Sequence, residues 1–114
     1  MSSLGSYILD DNDNPVETTT LEWGRWMEEN RDRKRIALDS VGAIMVSTVF
    51  LGLDHNFMGI GAPLLFETMV FADPEKSMLE DYTERYHTKT EALEGHKRIL
   101  EMVQEGRLPT RYDE

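Results

Sequence analysis

The chain has no cysteine, which excludes disulfides, thiolate metal sites and a thiol nucleophile and fits a reducing compartment. It is also short of positive charge. Twelve Lys and Arg stand against 22 Asp and Glu, for a formal net charge of -10. A protein that grips a nucleic-acid backbone needs a clustered positive surface to displace counterions, so direct nucleic-acid binding is not expected. No apolar run approaches the roughly 20 residues of a membrane helix. The start, Met1-Ser2-Ser3-Leu4-Gly5-Ser6, has neither the basic residues nor the apolar stretch of a signal peptide. Internal repeats and low-complexity tracts are missing too. The expectation is a single small domain over residues 1–114, soluble and cytoplasmic, with an ordered core over about 7–106 and a loose acidic tail. The acidity reads as solubility or as a surface aimed at a basic patch on a partner, DNA mimicry included.

Charge is scarcest in the middle of the chain. Between Ile36 and Ala72 there is no Lys or Arg, and the acids are Asp39, Asp54 and Glu67, whereas the whole chain is 30% charged. The core belongs there. Two strand-like runs, Ile44–Leu53 and Leu64–Phe71, flank a loop from Asp54 to Pro63. The first is β-branched and apolar on both faces, as a central strand should be. Alternation in the second puts Leu64, Phe66, Thr68 and Val70 on one face and Leu65, Glu67, Met69 and Phe71 on the other. Tyr7-Ile8-Leu9 reads as a short strand closed by a polar turn over Asp10–Pro15. Ile36–Leu38 leads to a turn at Asp39–Gly42, Asp73–Lys76 makes a polar connection, and Tyr82–His87 offers a fourth strand.

Two helices complete the pattern. Thr19 with Glu22, and Thr88 with Glu91, have capping-box spacing. Trp23, Trp26, Met27 and Asn30 share one stripe. Ala92, His96, Ile99 and Val103 share another, widened by Leu100 and Met102 and ended by Gly106. Gly24 costs its helix about 1 kcal/mol against Ala, which implies close packing there. The expected fold is α+β, an antiparallel sheet of about four main strands with two helices packed on one face.

Several chemical readings can be tested against spacing. Counting Asp10 as the first ligand of a calcium loop puts Pro15 where Gly is needed and Leu21 where Glu is needed, so that motif fails. Gly59-Ile60-Gly61 lacks the Lys-Ser/Thr of a phosphate loop, and His87-Thr88-Lys89-Thr90 does not read His-x-Thr. Asp54, His55 and Asn56 stand at a strand end beside a Gly-containing loop, where a scaffold can present binding groups or where short polar side chains make turn bonds. Glu67 interrupts an apolar strand, so it faces solvent or is buried against a partner, with Arg85, His96 and the Arg31–Arg35 cluster as candidates. That cluster follows a helix, where cations offset the dipole; a phosphate or carboxylate contact is the alternative. Trp23 and Trp26 form either core or an aromatic platform. His55, Glu67 and His96 are weak candidates for a two-histidine, one-carboxylate metal set, without local ligand spacing. No cofactor is implied.

The run Val46–Phe57 followed by Pro63–Phe71 resembles the paired signature of a family of small uncharacterised phage and prophage proteins. Tyr7–Asp10, the Trp23-x-x-Trp26 helix and Glu91–His96 fit the same layout, so the likeness spans most of residues 7–105. The resemblance implies a phage origin and the host cytoplasm; it carries over no catalytic residue. The chain departs from the family pattern in its basic Arg31–Arg35 stretch and its longer Met58–Ala62 loop. The leading expectation is a non-enzymatic accessory protein whose acidic surface binds a host or defence protein with a basic surface. A second is a small-molecule or nucleotide sponge built from the Asp54–Ala62 loop, Glu67 and the Trp face, as a monomer or a homodimer. A third is a metal-dependent enzyme using His55, Glu67 and His96.

Overall fold

The computed structural model describes residues 5–56, 60–71 and 82–107. In chain order these form β1 (Ser6–Leu9), β2 (Pro15–Thr18), α1 (Thr20–Glu29), α2 (Arg31–Lys34), β3 (Arg35–Val41), β4 (Ile44–Phe50), β5 (Phe66–Phe71), β6 (Tyr82–Tyr86) and α3 (Lys89–Gln104). Strands β3 to β6 make a four-stranded antiparallel sheet in sequence order, and β1 pairs with β2 in a second, two-stranded sheet. The fold is α+β, with helix packed on sheet.

Alternation decides which face the helices cover. Val46, Thr48 and Phe50 are the buried residues of β4. Opposite them stand Val70, Thr68 and Phe66 of β5, which in turn face Tyr82, Glu84 and Tyr86 of β6. Helix α3 lies over this face and buries Ala92, Gly95, His96, Ile99 and Val103, the stripe read from the sequence with Gly95 added. At the Phe50 end, the Trp26 ring of α1 meets Phe50 edge-on at 5.7 Å, and Phe50 packs on Phe66 at 5.2 Å. Two apolar clusters result. One centres on Leu9, Phe50, Leu65, Phe66, Tyr86 and Ala92, the other on Val46, Val70, Ile99 and Val103.

Several local expectations are corrected. Asp39–Val41 is strand, not turn, because the reversal needs only Gly42 and Ala43 between the paired Val41 and Ile44. Gly42 has φ 60°, the conformation a tight hairpin demands at its first central position. Pro15–Thr18 is also strand; the preceding turn is held by Asp10, whose Oδ1 accepts from the Asn12 and Asn14 amides at 2.8 and 2.9 Å. The ladder of β4 ends at Phe50 and that of β5 begins at Phe66, so Leu51–Leu53 and Leu64–Leu65 lie outside both strands. The α3 capping box is complete, whereas at α1 only the Thr19 half forms and Glu22 pairs with Arg25 at 3.4 Å. The basic cluster follows α1 as expected, and its residues Arg31–Lys34 form a short helix of their own, α2. The Asp73–Lys76 connection, the 57–59 part of the loop and the acidic tail lie outside the described residues. No helix among the described residues is long and apolar enough to cross a membrane.

The glycines separate into two kinds. A Cβ on Gly95 would stand 2.3 Å from the Tyr86 hydroxyl oxygen, so the tyrosine ring lies directly on the helix backbone. A Cβ on Gly24 would meet nothing within 4 Å, which corrects the expectation of close packing there. Gly24→Ala should therefore raise the unfolding free energy by about 0.5–1 kcal/mol through helix propensity. Gly95→Ala should lower it by about 1–3 kcal/mol through overpacking. Urea unfolding of the two variants checks both signs.

Candidate functional site

The Asp54 loop is built to hold itself. Asp54 Oδ1 accepts from the Asn56 amide at 2.8 Å and from the Leu64 amide at 3.0 Å, so one carboxylate oxygen clamps both ends of the loop. Asn56 is buried, and its side-chain amide donates to the carbonyls of Ile60 at 2.6 Å and Ala62 at 3.0 Å. His55 Nδ1 lies 2.7 Å from the Leu53 carbonyl oxygen, and its amide donates to the Leu64 carbonyl. These bonds are what short polar side chains do where a chain must reverse without a ladder. The indoles are used the same way. Trp23 Nε1 donates to the Leu51 carbonyl at 3.1 Å, and Trp26 packs on Phe50.

Glu67 lies on the sheet face opposite α3, between Val49 on β4 and Arg85 on β6. It is 8% exposed and accepts from Arg85 Nε at 2.9 Å. Of the two placements expected from sequence, burial with a partner is the one found, and the solvent-facing alternative is corrected. The carboxylate is tolerated there because a charge-assisted bond replaces its lost water.

His96 reaches the other face and joins a buried hydrogen-bond chain. Its Nε2 lies 2.8 Å from Asp39 Oδ2 and its Nδ1 2.7 Å from Thr48 Oγ1. Thr48 bonds Thr68 through their hydroxyls, and the Tyr86 hydroxyl donates to Thr68 Oγ1 at 3.0 Å. Burial pushes the Tyr86 hydroxyl up to about 12, so it stays a donor. Given that donor at one end, each hydroxyl passes a hydrogen to the next. His96 Nδ1 then accepts and Nε2–H donates to Asp39, a tautomer assigned by the bonding pattern.

Carboxylate, imidazole and hydroxyl in this order resemble an activated nucleophile. Here the hydroxyl cannot act. Thr48 is 0% exposed and its oxygen is already shared with Thr68, so no substrate can approach it. The metal set expected weakly from sequence is corrected by the same geometry. Glu67 and His96 project to opposite faces of the sheet, and among the described residues no group of three or more His, Asp or Glu could hold a metal ion.

A second polar tie was not foreseen from sequence. Asp13, at φ 61° in the β1–β2 turn, accepts from Arg33 Nη2 at 2.8 Å and from Lys89 Nζ at 2.7 Å. Arg33 also donates to the Asp10 carbonyl and lies 5.5 Å from the centre of the Trp26 ring. One carboxylate thus joins the hairpin to α2 and to the start of α3. Asp39, Thr48, Thr68 and Tyr86 were likewise missed as polar partners. The signal for the threonines lies in inward-facing hydroxyls on neighbouring strands, but it requires the register to be known. No family model, curated protein or solved structure matches the chain.

Hydrogen bonds from Arg33 and then Lys89 hold the Asp13 carboxyl below its ordinary value. Its contribution to stability is complete above that ordinary value and is lost as pH falls through the lower, folded one. Asp13→Asn keeps a residue that tolerates positive φ but removes the charge. The variant should be less stable at neutral pH and lose less stability on acidification than the parent, as read by thermal unfolding from neutral to strongly acidic pH.

Proposed function

We propose that this is a phage accessory protein that acts in the host cytoplasm, without catalysis of its own, by binding a host or defence protein. The observation that carries the reading is the exposed apolar patch on the sheet face opposite α3. Leu38, Met45 and Phe71 sit there on three adjacent strands, with relative exposures of 43%, 42% and 37%. Val49 and Met69 fill the same face beside them. Helix α3 lies on the other face, and α1 meets that same face at its Phe50 end.

An apolar centre on a chain of net charge -10 suits a partner with an apolar patch rimmed by Lys and Arg. The paired Val46–Phe57 and Pro63–Phe71 signature supports the phage setting. The polar residues of the Asp54 loop and of the His96 chain are engaged within the fold, which favours a surface role over chemistry at either place.

The test is affinity capture from host lysate at low and raised salt, with two variants beside the parent. A specific protein should be retained by the parent, lost with Phe71→Glu and kept with Leu93→Ser, which lies on α3. Retention should weaken as salt rises. Capture indifferent to both Phe71→Glu and salt contradicts the reading.

A further inference from the structure

In a chain so rich in acid, the positions of unpaired cations are informative. Arg25, Arg33, Arg85, Lys89, Arg98 and Arg107 each pair with a carboxylate. Of the cations without an ion-pair partner among the described residues, Lys97 stands on α3 and the other three are Arg31, Lys34 and Arg35. These three line one open cleft of about 380 Å³, together with Met27, Glu28 and Val49.

Local structure explains the convergence. Helix α1 ends at Asn30, whose side chain caps it by donating to the Trp26 carbonyl at 2.9 Å. The single turn of α2 then sets Arg31 and Lys34 at i and i+3, on one side, and Arg35 follows in extended conformation as the first residue of β3. Arg33 falls on another side and is taken up by Asp13 and Trp26. Arg35 enters β3 opposite Val49 of β4, so the cations meet an apolar wall from the sheet and another from Met27. The basic stretch thus divides into one arginine used by the fold and three cations left facing the cleft.

We propose that this cleft binds a small phosphorylated metabolite. Its volume is in the range of small-ligand pockets, roughly 300–1,000 Å³. Guanidinium forks match phosphoryl oxygens two at a time, and the ammonium adds a point charge. Met27 and Val49 offer apolar contact to the body of the ligand. Glu28 accepts hydrogen bonds, so it suits hydroxyl or amino groups beside the phosphate and disfavours a bare polyanion. The net charge of -10 repels a polymer with many phosphates far more than a ligand with one or two, which separates this site from a nucleic-acid groove. The chemistry is that of a nucleotide or a sugar phosphate, and the site lies at the Val49 end of the sheet face whose other end carries Met45 and Phe71.

The experiment is an amide NMR titration with ADP and with ribose 5-phosphate, using adenosine and ribose as uncharged controls. At least one phosphorylated probe should shift the amides of residues 27–35 and Val49 saturably, and its control should not. Arg31→Ala/Arg35→Ala should weaken that binding by at least about tenfold, while Lys97→Ala, an exposed cation on α3, leaves it unchanged. Both variants alter exposed side chains, and an unchanged amide spectrum elsewhere confirms that they are folded. The proposal is overturned if neither phosphorylated probe moves these amides at millimolar concentration. It is equally overturned if the uncharged controls bind as well, or if the double variant binds as tightly as the parent.

Discussion

The structure depends on one chain of hydrogen bonds, Asp39–His96–Thr48–Thr68–Tyr86, buried from His96 to Tyr86 and reaching the surface at Asp39. Its members come from β3, α3, β4, β5 and β6, so every strand of the main sheet contributes one residue and the helix contributes the link. Each bond adds only about 1 kcal/mol net, but an orphaned buried partner costs about 1–3 kcal/mol. The chain therefore discriminates more than it stabilises. A one-residue slip of β4 would carry Thr48 to the other face and strand His96 and Thr68 at once. Among the described residues, no buried side-chain nitrogen or oxygen lacks a partner, so the chosen register satisfies all of them.

This constraint also directs where function can lie. The residues with the most suggestive chemistry hold the fold together: His96 with its carboxylate and hydroxyl, the Asp54 clamp, and Glu67 with Arg85. What the fold leaves unspent is at the surface. One part is the sheet face carrying Leu38, Met45 and Phe71, and the other is the cleft with three cations that have no ion-pair partner among the described residues. They call for different occupants, an apolar protein patch with a basic rim and a small phosphate ester. A protein that carried both would have its partner surface and its ligand site as neighbours that share β3 and β4.

Elements with a single strong period were legible in the sequence. The Ala92, His96, Ile99, Val103 stripe and its Thr88–Glu91 cap led directly to α3, and alternation put Glu67 and Thr68 on the correct opposite faces. Strand β3 was only half legible, because an edge strand exposes Asp39 and Ser40 and so imitates a turn. The burial of Glu67 was hidden for a different reason: it depends on Val49 and Arg85, which approach only once three strands are in register. The threonine pair was hidden likewise. Gly24 misled because propensity speaks of the cost of a glycine and not of what surrounds it. The basic cluster was plain, but the cleft needed Met27 and Val49, which converge only when α1 packs at the Phe50 end of β4.

The direct test of the central claim is a double-mutant cycle on Thr48 and Thr68, using the isosteric change to valine and equilibrium urea unfolding. If the chain is one connected unit, Thr48→Val and Thr68→Val should each cost about 1–3 kcal/mol, because each leaves a buried neighbour unpaired. The double variant should then cost clearly less than the two single costs added together, since the second change removes a partner already orphaned. Additivity within about 0.5 kcal/mol would show independent side chains and contradict the account.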